Sequence, residues 1–131
     1  MDVVKGGVYL YEPPKSSTSE QAATITQSGS EQAGLRPYII VSRNEVNSSK
    51  PTAVGVPLTS RVSKSNNSYR IKLPAAELIA DEGCTPFVES VALCDHMRVI
   101  DRERIRKKIG KLSDTAVAGV AAGLIFLLDI R

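Results

Sequence analysis

Six polar side chains stand at the borders of apolar runs in this sequence: Glu31, Arg36, Thr59, Ser60, Asp95 and His96. Strand ends are where a rigid scaffold presents side chains to a ligand, so such a collection marks a candidate site. Arg36 offers a forked, permanently charged donor, and the Thr59 and Ser60 hydroxyls add short neutral ones, a set suited to a phosphate. A phosphodiester that carries its own neighbouring 2′-hydroxyl, as in RNA, needs little more. A base takes the hydroxyl proton, donors stabilise the phosphorane charge, and a further group protonates or shields the leaving oxygen. Arg36 is a poor general acid because its pKa lies above about 12, so its role is electrostatic. Glu31 serves as base where burial raises its pKa toward neutrality. Plainer readings stand beside these: Arg36 paired with Glu31 on the surface, Thr59 and Ser60 capping a turn, and His96 as a surface residue.

Short strands have to position these groups. Lys5 to Tyr11 alternates and stops at Pro13-Pro14, as a strand ended by proline does. Pro13 to Leu35 is rich in Ser, Thr, Gln and Gly and reads as one long polar loop, a length more typical of lids or inserts than of plain connections. Arg36 to Ser42 holds Tyr38, Ile39, Ile40 and Val41 and predicts a central strand. Thr52 to Leu58 predicts the next, with a bulge or strand end at Gly55 and Pro57. Ser68 to Leu73, Phe87 to Leu93 and Met97 to Ile100 follow as shorter strands, and Asp101 to Ile105 as a helical turn. Ser113 and Asp114 offer N-cap chemistry to a final helix on which Val117, Val120, Ala121, Leu124 and Leu128 recur at helical spacing. The predicted fold is mainly β, a small antiparallel half-barrel closed by one C-terminal α-helix, in a single domain spanning residues 1–131.

Composition narrows the function classes. The chain has 131 residues with net charge +3; Arg98 to Lys111 carries seven basic residues against two acidic ones, so it holds +5 and leaves the remainder at −2. A basic cluster suits a polyanion such as nucleic acid or an acidic protein segment, although a solvated turn and helix start would look the same. Tyr9, Tyr11 and Tyr38 are strand residues, placed for packing more than for stacking on bases. Cys94 and His96, with Asp95 or Cys84, fall short of the four ligands of a structural zinc site, and no metal or cofactor is expected. The N-terminal segment has no signal-like apolar core, and two cysteines make no disulfide framework, so the expected compartment is the cytoplasm, with reduced thiols. Ala116 to Leu128 runs to 13 residues, short of the roughly 20 that span a bilayer, so no membrane contact is expected. Its Gly119 and Gly123 suit a helix packed tightly on a sheet.

Three stretches resemble the MazF/PemK/Kid toxins of bacterial toxin–antitoxin modules: Gly29-Ser30-Glu31-Gln32-Ala33-Gly34-Leu35-Arg36-Pro37, Val56-Pro57-Leu58-Thr59-Ser60, and Leu93-Cys94-Asp95-His96-Met97-Arg98-Val99-Ile100-Asp101. They occur in the family's order and extend the resemblance over nearly the whole chain. The resemblance implies a CcdB/PemK-like, SH3-like barrel, a homodimer, and an acidic antitoxin protein as partner. It also implies a ribosome-independent and metal-independent endoribonuclease that cuts single-stranded mRNA at specific sequences, leaving 2′,3′-cyclic phosphate and 5′-hydroxyl ends. By position, Arg36 and Thr59 match the catalytic pair and Glu31 a further acid/base, while Gln32, Ser60, Asp95, His96 and Arg98 fall where RNA is contacted. Asp95 matches the base of the Kid branch, but Leu93 stands where that branch has an arginine, which favours Arg36 with Thr59. Lys15 to Ser28 lengthens the link between the first two strands, as a lid or as a tolerated insertion. A protein of different class with the same barrel binds DNA gyrase without chemistry, and a catalytically inactive RNA-binding module is a third possibility. The Arg36 and Thr59 pair is expected in the nuclease and unnecessary in the gyrase binder.

Overall fold

A computed structural model describes residues 2–14, 34–64 and 67–130. Eight strands lie among the described residues: β1 Gly7–Tyr11, β2 Arg36–Ile40, β3 Thr52–Thr59, β4 Arg70–Leu73, β5 Leu78–Ala80, β6 Ser90–Leu93, β7 Arg98–Asp101 and β8 Ile105–Leu112. The α-helices among the described residues are α1 Asn44–Ser49 and α2 Asp114–Leu128. Every strand pairing is antiparallel, in the order β4-β6-β3-β2-β1-β8-β5, with β7 paired to β3. The half-barrel with a C-terminal helix read from the sequence is the fold observed.

Strand β3 organises the sheet because it is long enough to change partners. Thr52 to Gly55 pair with β7, while Leu58 and Thr59 pair with β6. Successive side chains leave a strand on opposite faces, and the curled sheet therefore has two cores. One gathers Val8, Ile39, Val56, Leu58 and Ala92 beneath Ala116 and Val120 of α2. The other holds Tyr9, Tyr11, Tyr38, Ile40, Ala53, Ile100 and Ile105. The three tyrosines are buried, as expected of packing residues.

Residues 105–112 depart from the sequence reading. The charged run, to which the sequence reading assigned no strand and for which a solvated turn and helix start was the plainer alternative, is strand β8, and it covers β1 along its whole length. The pairing slips between Val8 and Tyr9 and again between Leu10 and Tyr11. These irregularities bring Ile105, Gly110 and Leu112 inward and leave Arg106, Lys107 and Lys111 exposed. Gly55 and Pro57 mark no irregularity in β3, whose pairing to β2 runs in register; at Gly55 a Cβ would overlap Ile100. Strand β6 begins only at Ser90, and 86–89 precedes it as irregular chain.

Helix α2 begins as its sequence signals indicate. Ser113 Oγ accepts from the Ala116 amide at 3.1 Å and donates to Glu77, satisfying one of the helix's open N–H groups. Asp129 closes the helix in the left-handed region at φ 55°, a conformation that aspartate tolerates better than most residues. The buried face is Ala116, Val120 and Gly123; Leu128, expected on it, is exposed. At Gly123 a Cβ would lie 2.9 Å from Ile71 Cγ1 and 3.0 Å from Cys94 Sγ, so glycine sets how closely helix and sheet approach. No helix among the described residues is long and apolar enough to cross a membrane.

Candidate active site

The pairing of β2 with β3 aligns Tyr38 with Pro57, Ile39 with Val56 and Ile40 with Gly55. Continued to the strand ends, that register sets Arg36 opposite Thr59. Arg36 also stands opposite Tyr11 of β1, and Arg98 of β7 opposite Gly55. By the two-residue period of strands, Tyr11, Arg36, Tyr38, Thr59 and Arg98 therefore share one face. Positions separated by more than twenty residues in sequence meet because three strands end or begin together.

Within this group the tyrosines hold Arg98. The Arg98 guanidinium carbon lies 5.7 Å above the centroid of the Tyr11 ring, a cation–π contact. Arg98 also donates to the Tyr38 phenol, and the Tyr11 and Tyr38 rings meet edge to face at 5.3 Å and 76°. Burial pushes the Tyr38 phenol above its ordinary pKa, against the opposing effects of Arg98 and Arg36. Tyr38 therefore stays neutral and serves as an acceptor that aims Arg98, while Arg36 is near enough for its charge to act on the same phenol. Two guanidinium groups on one face make a positive site suited to an anion.

Thr59 is buried at 6 % exposure, and its Oγ1 accepts from the Arg61 amide at 3.2 Å. The turn-capping reading is thus realised, and the hydroxyl keeps its proton to donate. Ser60, one residue on, is exposed and lines a concavity of about 580 Å³ with Leu10, Pro37, Leu58 and Phe87. Thr59 and Ser60, adjacent in sequence, consequently serve different surfaces.

Asp95 and His96 lie apart from that face, on the short 3-10 turn between β6 and β7. Asp95 is engaged by Arg70 at both oxygens, at 3.1 Å to Nε and 2.7 Å to Nη2, with His96 Nε2 3.7 Å away. Burial raises the Asp95 pKa, but the Arg70 hydrogen bonds and charge, helped by His96, outweigh it and hold the carboxyl below its usual range. A carboxylate so firmly ionised is a weak proton acceptor at neutral pH. Glu31 and Gln32, and the stretch Lys15 to Ser28, fall outside the described residues. Sequence reasoning overlooked Tyr11 and Tyr38 as the support of Arg98, and Arg70 as the partner of Asp95. No local signal joins Arg70 to Asp95, since only the β4–β6 pairing of Arg70 with Leu93 brings them together. Among the described residues no group of three or more His, Cys, Asp or Glu side chains could hold a metal ion, and both Cys84 and Cys94 are free thiols.

A curled antiparallel half-barrel with a C-terminal helix, presenting two arginines and a threonine where its strands end, defines a class of small β proteins. Solved structures share it over essentially the whole chain. MazF (Form-I) from Deinococcus radiodurans superposes with a TM-score of 0.68 at 24% identity, covering 99% of each chain. The MazE-MazF structure (Form-II) from the same organism gives 0.68 at 20% identity, covering 100% of this chain and 99% of the other. The endoribonuclease MazF of Staphylococcus saprophyticus is 29% identical over 86 residues, which are 66% of this chain and 67% of that protein. Residues 18–128 match the model of the PemK-like, MazF-like toxin of type II toxin-antitoxin systems, and the chain belongs to that family.

Proposed function

We propose that this protein is a toxin endoribonuclease that cleaves single-stranded mRNA at specific sequences, independently of the ribosome and of metal ions. The observation that carries the reading is the β2–β3 register, which sets Arg36 opposite Thr59 on the face that also holds Arg98. In the proposed reaction the 2′-oxygen next to the scissile phosphate attacks phosphorus while its proton passes to a base. The bond to the 5′-oxygen breaks, that oxygen takes up a proton, and the products are a 2′,3′-cyclic phosphate and a 5′-hydroxyl. Arg36 stabilises the charge that grows on the non-bridging oxygens, and the Thr59 hydroxyl donates to the same group. Glu31 is assigned the acid/base role, with Gln32, Ser60, Asp95, His96 and Arg98 contacting flanking RNA. Asp95 enters that contact as a fixed carboxylate held by Arg70, not as the base.

A relative solved as MazE-MazF supports an antitoxin partner, here an acidic protein that competes with RNA for the cationic face, and the active unit is a homodimer. The test is incubation of purified protein with long single-stranded RNA in EDTA beside Arg36→Ala and Thr59→Ala variants, with mapping of cut sites and end groups. Discrete cuts ending in cyclic phosphate, lost in both folded variants, are expected. RNA left intact across diverse substrates would overturn the proposal.

A further inference from the structure

We infer that Tyr11 and Tyr38 are positioning residues that hold Arg98 beside Arg36 as a second cation for the scissile phosphate. The inference rests on the proposed RNA cleavage and moves Arg98 from flanking RNA to the reacting group. Arg98 starts on β7, and β3 and β2 separate that strand from β1. Three strand spacings come to about 14 Å, yet the guanidinium carbon lies 5.7 Å from the centroid of the Tyr11 ring. The side chain therefore leans across the sheet toward the strand end where Tyr11 pairs with Arg36. Tyr38 stands on β2 between them, and its phenol accepts from Arg98 while the Arg36 charge acts on it as well. Both contacts of Arg98 thus aim it toward Arg36.

What holds Arg98 differs from what holds other cations of this chain. Arg70 is paired with Asp95, Arg106 with Glu12 and Lys108 with Asp81, and each carboxylate cancels the charge it fixes. Tyr11 offers the face of a π-system and Tyr38 a neutral phenol oxygen, which fix a guanidinium and leave its charge for a ligand. A guanidinium has five N–H donors in a rigid fork, so one acceptor and one ring leave donors for a phosphate oxygen. Arg98 is half-buried on two buried rings that meet edge to face at 5.3 Å. An arginine so held has already lost much of the rotamer freedom that ordering it around a phosphate would otherwise cost. Two arginines on one face repel, and the ring face and phenol oxygen offset part of that repulsion until an anion arrives. A cation prepared in this way acts most on the charge that grows in the transition state, so its effect falls on kcat.

The experiment measures kcat and KM on a single-stranded RNA with one mapped cut site, in EDTA. The variants are Arg98→Ala, Tyr38→Phe, Tyr11→Leu, Tyr11→Phe, and Tyr38→Phe combined with Arg98→Ala. Kd for a single-stranded 2′-fluoro RNA, which lacks the attacking hydroxyl, reports ground-state binding alongside. Arg98→Ala is expected to lower kcat about 10²-fold, Tyr38→Phe about three- to tenfold, and Tyr11→Leu about threefold, each with a smaller change in Kd. Tyr11→Phe, which keeps the ring, should recover most of the loss seen with Tyr11→Leu. Added to Arg98→Ala, Tyr38→Phe should cost about twofold or less, since a residue that acts through Arg98 has nothing left to act on. Tyr38→Phe keeps the buried ring, so its result stands even where Tyr11→Leu fails to fold. An equal fall in kcat from Tyr38→Phe with and without Arg98 would give the phenol a role in the fold alone and overturn the inference. Arg98→Ala that raises KM and Kd with kcat kept, the mark of a contact to flanking RNA, would overturn it too. A parent protein that cuts no RNA removes the inference together with the proposed activity.

Discussion

At the scale of the residue, the site depends on charges whose partners are fixed by neighbouring aromatic and acidic groups. In the proposed reaction Arg36 contributes a permanent cation where phosphorane charge grows, so Arg36→Ala should lower kcat on RNA by about 10²–10³-fold while leaving the circular dichroism spectrum unchanged. Asp95 behaves differently, because both of its oxygens are held by Arg70. Its carboxyl pKa is lower folded than unfolded, so the unfolded state binds the proton more readily. The stabilisation is present above the unfolded pKa and lost as pH falls through the folded one. Asp95→Asn should therefore cost about 1 kcal/mol or less near pH 7, a gap that closes below about pH 4. Parallel urea titrations from pH 7 to pH 3 check it; a gap independent of pH would remove the ionised carboxylate as the cause.

At the scale of the element, the two glycines of α2 predict opposite outcomes. At Gly119 a Cβ would meet only Ile71 at 3.5 Å, an ordinary contact, while at Gly123 it would press on Ile71 and Cys94 at 2.9–3.0 Å. Gly119→Ala should stabilise by up to about 1 kcal/mol through helix propensity. Gly123→Ala should destabilise by about 1–2 kcal/mol, because overpacking a close helix–sheet contact outweighs the same gain. Thermal unfolding of the two variants decides the signs. Helix α2 was legible because its cap and its apolar spacing are local, and β2 and β3 because their apolar runs are uninterrupted. Strand β8 was not legible: Ile105, Ile109 and Leu112 stand four and three residues apart, the spacing of a helix rather than of a strand, and in the irregular pairing to β1 Ile105 reaches one core while Ile109 and Leu112 reach the other. The Arg36 and Thr59 pair was recognised from motifs, but the Tyr11–Arg98–Tyr38 arrangement that supports its face was not. It depends on the register of β1, β2, β3 and β7 together, which no single stretch of sequence contains.

At the scale of the whole molecule, strand pairing decides how much of the basic segment is available to RNA. β1 ends at Tyr11, which pairs with Arg36 where β2 begins and with Ile105 where β8 begins, and the chain folded there consumes charge. Arg104 donates to the carbonyls of Glu12 and Pro13 at 2.7 and 2.9 Å, and Arg106 pairs with the Glu12 carboxylate. Lys108 bridges both oxygens of Asp81 at 3.0 and 3.1 Å, and Arg102 approaches Asp2 at 3.9 Å. Four of the seven cations between Arg98 and Lys111 thus engage carbonyls or carboxylates of the chain itself, while Arg98 rests on tyrosines, and the cations near the ends of β1, β2 and β3 are Arg36, Arg98 and Lys107. A seven-charge footprint on single-stranded RNA would give a slope of log Kobs against log[salt] near about −5, whereas three give about −2. Titration of 2′-fluoro RNA across a range of salt concentrations is expected to return the shallower value. A slope near the steeper one would mean that the internal ion pairs open when RNA binds, and that the basic strand β8 is itself part of the contact.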